Sequence, residues 1–308
     1  SITTNGGAIA IMASTGTVTQ AAGVQLRTGA APIDVSAGAD LTTASYVTTG
    51  ALNLRSTGGS VAVAESIYDS TGATPLTAAT DVSIRPGALV ENIRTGAPLV
   101  INAAGDIVVD EQVGQDRNAT TLTGPITFTA GRNVAINRDV VTRDAALTIT
   151  ASTGTVTVAP QTAGPSGPQP QVRAGSGAIT VVAGADLYIG TPSAPRPNDE
   201  TPYLTTGALS LSSTAGTLFI EAPIPNTTGR VTLNGGNAVR VNERIYSNGA
   251  DISITAGLGG IVMNTATMNV VHPVSNIVFP TVVSDIDAQQ GNLTLTARPE
   301  SVGGTHAN

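Results

Sequence analysis

The chain has 308 residues, a formal charge of −7 and a pI near 4.7. It has no cysteine and no tryptophan, and all 14 of its basic residues are arginine. These facts exclude disulfide frameworks, thiol nucleophiles, thiolate metal sites, Schiff-base lysines and the lysine of a phosphate-binding loop. The acidic balance argues against a nucleic-acid grip, which needs clustered cations. No stretch approaches the ~18 consecutive apolar residues of a membrane helix, so no transmembrane segment is expected.

The chain opens on Ser1-Ile2-Thr3-Thr4-Asn5, which has neither the charged nor the apolar region of a secretion signal. A repeated phrase then begins. Gly7-Ala-Ile-Ala-Ile-Met-Ala-Ser-Thr-Gly-Thr-Val18 returns as Ala145-Ala-Leu-Thr-Ile-Thr-Ala-Ser-Thr-Gly-Thr-Val156. Further copies start at Gly29, Gly50, Gly96, Gly124, Gly177, Gly207, Gly229, Gly249 and Gly291, with weaker ones near Gly72 and Val270. The mean period is about 24 residues.

Within each copy apolar residues alternate, which marks a strand because successive side chains point to opposite faces. The first column reads Ile9, Ile33, Leu52, Leu99, Ile126, Leu147, Ile179, Leu209, Val231, Ile252 and Leu293. The second, two residues on, reads Ile11, Val35, Leu54, Ile101, Phe128, Ile149, Val181, Leu211, Leu233, Ile254 and Leu295. A small residue follows after two more, as at Ala37, Ser56, Ala103 and Ala151. Large, large, small predicts a strand that runs along a core and then enters a corner. The corner carries glycine and a small polar residue, as in Gly38-Ala39-Asp40 and Gly105-Asp106. A second short strand follows, and a weaker third one, as at Val24/Leu26, Val140 and Ile245.

Three short strands per repeat, without helical periodicity, predict an all-β fold: a right-handed parallel β-helix, or β-solenoid. About thirteen coils of roughly 20–30 residues would make a single rod spanning residues 1–308, on the order of 60 Å long. Neither end shows a capping helix, so the chain is expected to be a segment of a longer array or a subunit stacking on neighbours through open ends. Exposed strand edges also lack the usual lysine gatekeepers.

The phrases Gly124-Pro-Ile-Thr-Phe-Thr-Ala-Gly-Arg-Asn-Val-Ala-Ile136, Gly249-Ala-Asp-Ile-Ser-Ile-Thr-Ala256 and Gly291-Asn-Leu-Thr-Leu-Thr-Ala297 resemble the shaft repeats of filamentous-haemagglutinin-like exoproteins. These are bacterial surface adhesins, many exported by two-partner secretion. The resemblance covers nearly the whole chain. The family's secretion domain has no recognisable counterpart in it. The resemblance implies a β-helical shaft, an extracellular or cell-surface location, and adhesion to host-cell or matrix glycans or proteins.

Some β-helices cleave polysaccharides, a chemistry that needs paired carboxylates across a cleft. The candidates are Asp106/Asp110/Glu111, Asp139/Asp144 and Asp285/Asp287, all of which fit solvated corners or outward faces, and no catalytic residue is expected among them. His272 reads as a loop residue and His306 as part of a C-terminal tail. No cofactor is expected, and the calcium-binding nonapeptide pattern is absent. Asp81 and Asp106 occupy equivalent corners of adjacent coils, about 5 Å apart, and are the candidate pair for sharing a cation.

Two proline-rich insertions, 160–171 and 190–203, follow second strands in successive coils and should emerge side by side. Arg196, Asp199, Glu200 and Tyr203 are their candidate contact residues. A third irregular stretch, 271–283, interrupts the repeat and contains Phe279. The preferred expectation is a non-enzymatic shaft of a surface or secreted fibre, adhering through the proline-rich loops. An end-stacking filament or sheath subunit and a polysaccharide lyase or hydrolase are the alternatives.

Overall fold

The computed structural model describes residues 1–43, 45–68, 72–88, 97–114, 124–158, 170–190, 203–263, 267–271, 278–282, 286–288 and 291–298. Every regular element among them is a strand. Twelve five-residue strands, from Ile9–Ala13 to Leu293–Ala297, form one long parallel sheet. Eleven shorter ones, from Val18–Thr19 to Gly260–Met263, form a second. The third face comes in pieces: four strands from Ile2–Thr3 to Ile67–Tyr68, four from Val113–Gly114 to Tyr203–Thr205, and three from Ile224–Thr227 to Ile286–Asp287. Each strand pairs with its equivalent one repeat away, so the chain is a parallel β-solenoid.

The repeat columns set the register. Ile126 pairs with Leu147, Leu147 with Ile179, and Ile179 with Leu209, while Phe128, Ile149, Val181 and Leu211 keep step two residues on. A slip of one residue would turn this whole set out to water. Leu52, Leu54, Leu147, Ile149, Ile179, Val181, Ile252 and Ile254 are fully buried, and Leu99, Ile101, Ile126, Phe128, Leu209 and Leu211 are within 1% of it. Burying each such side chain contributes about 1.5–3 kcal/mol. Ile9 is buried and Ile11 packs partly buried against the core.

Two features depart from the repeat pattern. Leu293 and Leu295 keep register with Ile252 and Ile254, yet are 44% and 50% exposed. Among the described residues no strand of the long sheet lies beyond theirs, so their inward faces lack one side of the core. The copy near Gly72 does form a coil, through Thr74–Ala78. The copy near Val270 does not: Thr267–Val271 pairs antiparallel with Val278–Val282, and Ile252–Ala256 pairs directly with Leu293–Ala297. The described part of the irregular stretch therefore belongs to an antiparallel strand pair inserted between two coils. Strands of the long sheet spaced about 4.8 Å apart give a rod of roughly 55 Å.

The corners are tight. A Cβ on Gly38 would lie 2.3 Å from the Ser14 carbonyl oxygen of the preceding coil. Gly114 has a φ of +87°, and a Cβ there would meet the Val141 carbonyl oxygen at 2.0 Å. Only glycine combines that conformation with that approach.

Hydroxyls inside the core complete the third corner, where the third strand turns into the next coil. Thr28, Thr48, Thr142, Thr205 and Ser247 are all buried there. Thr142 donates to the Ala145 carbonyl at 2.6 Å, and Ser247 to that of Ala250 at 2.8 Å. Thr48 Oγ1 accepts from the Gly50 amide at 2.9 Å and donates to the Ala31 carbonyl at 3.0 Å. A turn of small residues has no regular ladder of its own, so these side chains satisfy its backbone groups.

Candidate functional site

The polar corner before the second strand repeats one bond at five coil junctions: a side-chain oxygen accepts the backbone N–H of its counterpart in the next coil. Asp40 Oδ1 accepts from Ser60 N at 2.8 Å, Asp81 Oδ1 from Asp106 N at 2.7 Å, and Asp106 Oδ1 from Asn133 N at 2.9 Å. Asn133 Oδ1 then accepts from Thr155 N at 2.9 Å, and Asp186 Oδ1 from Thr217 N at 2.7 Å. Asp and Asn recur here because their short side chains reach one ladder spacing and no further.

Asp81 and Asp106 are thus brought together as the spacing predicts, and the cation between them is a guanidinium. Arg132 donates from one nitrogen to Asp81 Oδ1 and Asp106 Oδ2, both at 3.0 Å. No group of three or more metal-ligating side chains occurs among the described residues.

The other carboxylates serve the same architecture. Asp110 accepts from Asn137 Nδ2 at 2.8 Å, Asp139 from Gln171 N at 2.9 Å, and Glu111 from Gly87 N at 2.8 Å. Asp144 accepts from the Ser176 hydroxyl and amide, which hold its carboxyl below its ordinary range. The Asn292 amide and side chain, with Arg230 nearby, do the same for Asp251. Hydrogen bonds to the charged form keep Asp144 and Asp251 ionised, the opposite of the raised pKa a general acid needs. Asp287 lies in the Ile286–Asp287 strand, opposite Tyr246. Asp285, His272 and His306 lie outside the described residues, as do Arg196, Asp199 and Glu200 of the second proline-rich loop and most of the first.

Tyr203 is not a contact residue. It is 2% exposed and points into the third face, where burial pushes its phenol well above the usual range. Its register explains this: Tyr203 pairs with Val172, an inward position. Tyr46 plays the equivalent part nearer the N-terminus, fully buried with its hydroxyl donating to the Gln20 side chain. Sequence reasoning missed both, because third strands of two to four residues are too short to show alternation.

The outer face of the second sheet carries one outward side chain per coil. In its early coils these are Thr42, Ala62, Ser83 and Val108. They floor a shallow trough of about 450 Å³, with Asp40, Ser60, Asp81 and Asp106 on one rim and Arg85 beside it. In its later coils the same column reads Tyr188, Phe219, Arg240 and Val262. The Tyr188 and Phe219 rings stack 4.8 Å apart and parallel to within 1°, and the Arg240 guanidinium lies 5.7 Å from the Phe219 centroid. Partial burial and the neighbouring Asp186 raise the Tyr188 phenol above its ordinary range. This ridge was open to sequence reasoning, since Leu187/Ile189 and Leu218/Ile220 point inward on either side of it.

The geometry defines the class of protein as a β-solenoid rod with acid-lined corners and one face divided into trough and ridge. No family model, curated protein or solved structure matches the chain. No helix among the described residues is long and apolar enough to cross a membrane.

Proposed function

We propose that this chain has a mechanical rather than a catalytic role, as a stiff spacer within a surface-displayed or secreted fibre. The observation that carries this reading is the unbroken register of the long sheet from Ile9 to Ala297. Its interstrand hydrogen bonds run along the rod, so bending the rod must stretch them. The resemblance to adhesin shaft repeats supports the surface location. Adhesion, to glycans or proteins of a host cell or matrix, is assigned to the proline-rich loops at 160–171 and 190–203.

Single-molecule pulling between the chain ends tests the mechanical reading. Coils should peel off in steps that are multiples of about 75 Å, the extended length of a ~24-residue coil less its rise. Release of the whole chain in one low-force step would overturn it. Replacing both loops with glycine-serine linkers should abolish binding to matrix-coated surfaces while leaving those steps unchanged.

A further inference from the structure

The trough and the ridge lie on one column of one sheet, on opposite sides of its middle. Taking the outward residues in order, Ala135 is the centre. Val108 and Thr157 flank it, then Ser83 and Tyr188, then Ala62 and Phe219, then Thr42 and Arg240. From the second coil out, the small side chains Ser83, Ala62 and Thr42 on one side of Ala135 are matched by the large Tyr188, Phe219 and Arg240 on the other. We propose that this face is a self-complementary interface, on which two copies of the chain pair side by side and antiparallel.

The two-fold axis would run along the strands through Ala135. It places Phe219 of one copy over Ala62 of the other, Tyr188 over Ser83, and Arg240 over Thr42. Because both rods have the same pitch, aligning one of these pairs aligns all of them. An isologous contact uses the same patch on both copies, so every match occurs twice.

Charge follows the same symmetry. Arg240 is exposed and would reach the acidic rim at Asp40 of the second copy. The corner at Asp81 would face the second copy's Asp186, and Arg132, 58% exposed, already sits between Asp81 and Asp106 to neutralise that approach. The long sheet offers no such face, since its outward residues are mostly Thr, Ser and Asn.

The paired stretch, from the Leu41–Thr43 strand to the Ala238–Val241 strand, is roughly 40 Å long and about one short strand wide. Two such faces bury on the order of 1,000 Å², the lower bound for a specific contact. Pairing is therefore expected to be weak, with association at ~10–500 μM.

The test is sedimentation equilibrium of the full chain over that range, with chemical cross-linking. The unaltered chain should show a monomer–dimer equilibrium. Arg240→Glu and Ser83→Trp should each weaken it at least ~10-fold, about 1.4 kcal/mol. Circular dichroism checks that each variant retains its β signature, and Phe219→Ser replaces any that does not. The chain has no cysteine, so single cysteines report orientation directly. Ala135→Cys, on the axis, should be joined to itself by a short bis-maleimide, whereas Thr42→Cys should not. A chain that stays monomeric to ~500 μM, variants that associate unchanged, or equal cross-linking at both positions would overturn the proposal.

Discussion

Replacing Thr48 with valine isolates the contribution of the buried hydroxyls at the third corner. Valine keeps the shape of threonine, so no cavity opens, and only the hydroxyl is lost. The Gly50 amide then loses its acceptor at 2.9 Å, and the Ala31 carbonyl loses a donor at 3.0 Å. The Thr28 hydroxyl, 2.6 Å from the same carbonyl, still serves Ala31, which leaves one orphaned amide. An unsatisfied buried donor costs about 1–3 kcal/mol. Coils in a solenoid interact mainly with their neighbours, so the loss should be felt locally. Hydrogen exchange followed by mass spectrometry is the assay: exchange at Gly50 should accelerate about 5- to 150-fold. Thr127→Val, at an outward position, should change stability by less than about 0.5 kcal/mol. Unchanged Gly50 protection in the Thr48 variant would refute the account of how the corner is held.

Two further outcomes follow from burial and charge. Ile149→Ala should lower stability by about 2–5 kcal/mol in urea denaturation, while Leu295→Ala, half exposed at the equivalent position, should cost less than half as much. Asp144 and Asp251 should titrate below the ordinary aspartate range in carboxyl NMR. Depressed folded-state values mean that their stabilisation is present above the unfolded pKa and lost as pH falls through the folded one. Asp144→Asn and Asp251→Asn should accordingly flatten the acid limb of the stability curve, and a limb that stays equally steep would count against the bonds these carboxylates make to Ser176 and Asn292 at the corner before the long sheet.

The fold was readable because two columns of branched residues recur in one direction at one spacing, which only stacked coils explain. What escaped is equally specific. Thr28, Thr48 and Thr205 look like surface threonines, since a sequence does not distinguish a hydroxyl facing water from one closing a turn. Tyr203 follows a proline-rich insertion and reads as loop, although its pairing with Val172 carries it into the core. The stretch near Val270 has enough β-branched residues for a coil but lacks the glycine corner, and its strands pair with each other instead. The pair Asp81 and Asp106 was visible from spacing, whereas Arg132 was not, because its reach back across two coils depends on side-chain direction rather than on the repeat.

The corner ladder is also a vector. In each of its bonds the carboxylate or amide oxygen belongs to the earlier coil and the N–H to the later one. A coil formed first presents a ready acceptor to the one that follows, and the incoming corner supplies the donor. A chain that emerges N-terminus first therefore meets a ready acceptor at each of these five junctions. Growth from the other direction would have to bring an acceptor to an amide already committed to solvent. At these five junctions the order of synthesis matches the direction in which the side-chain oxygens accept.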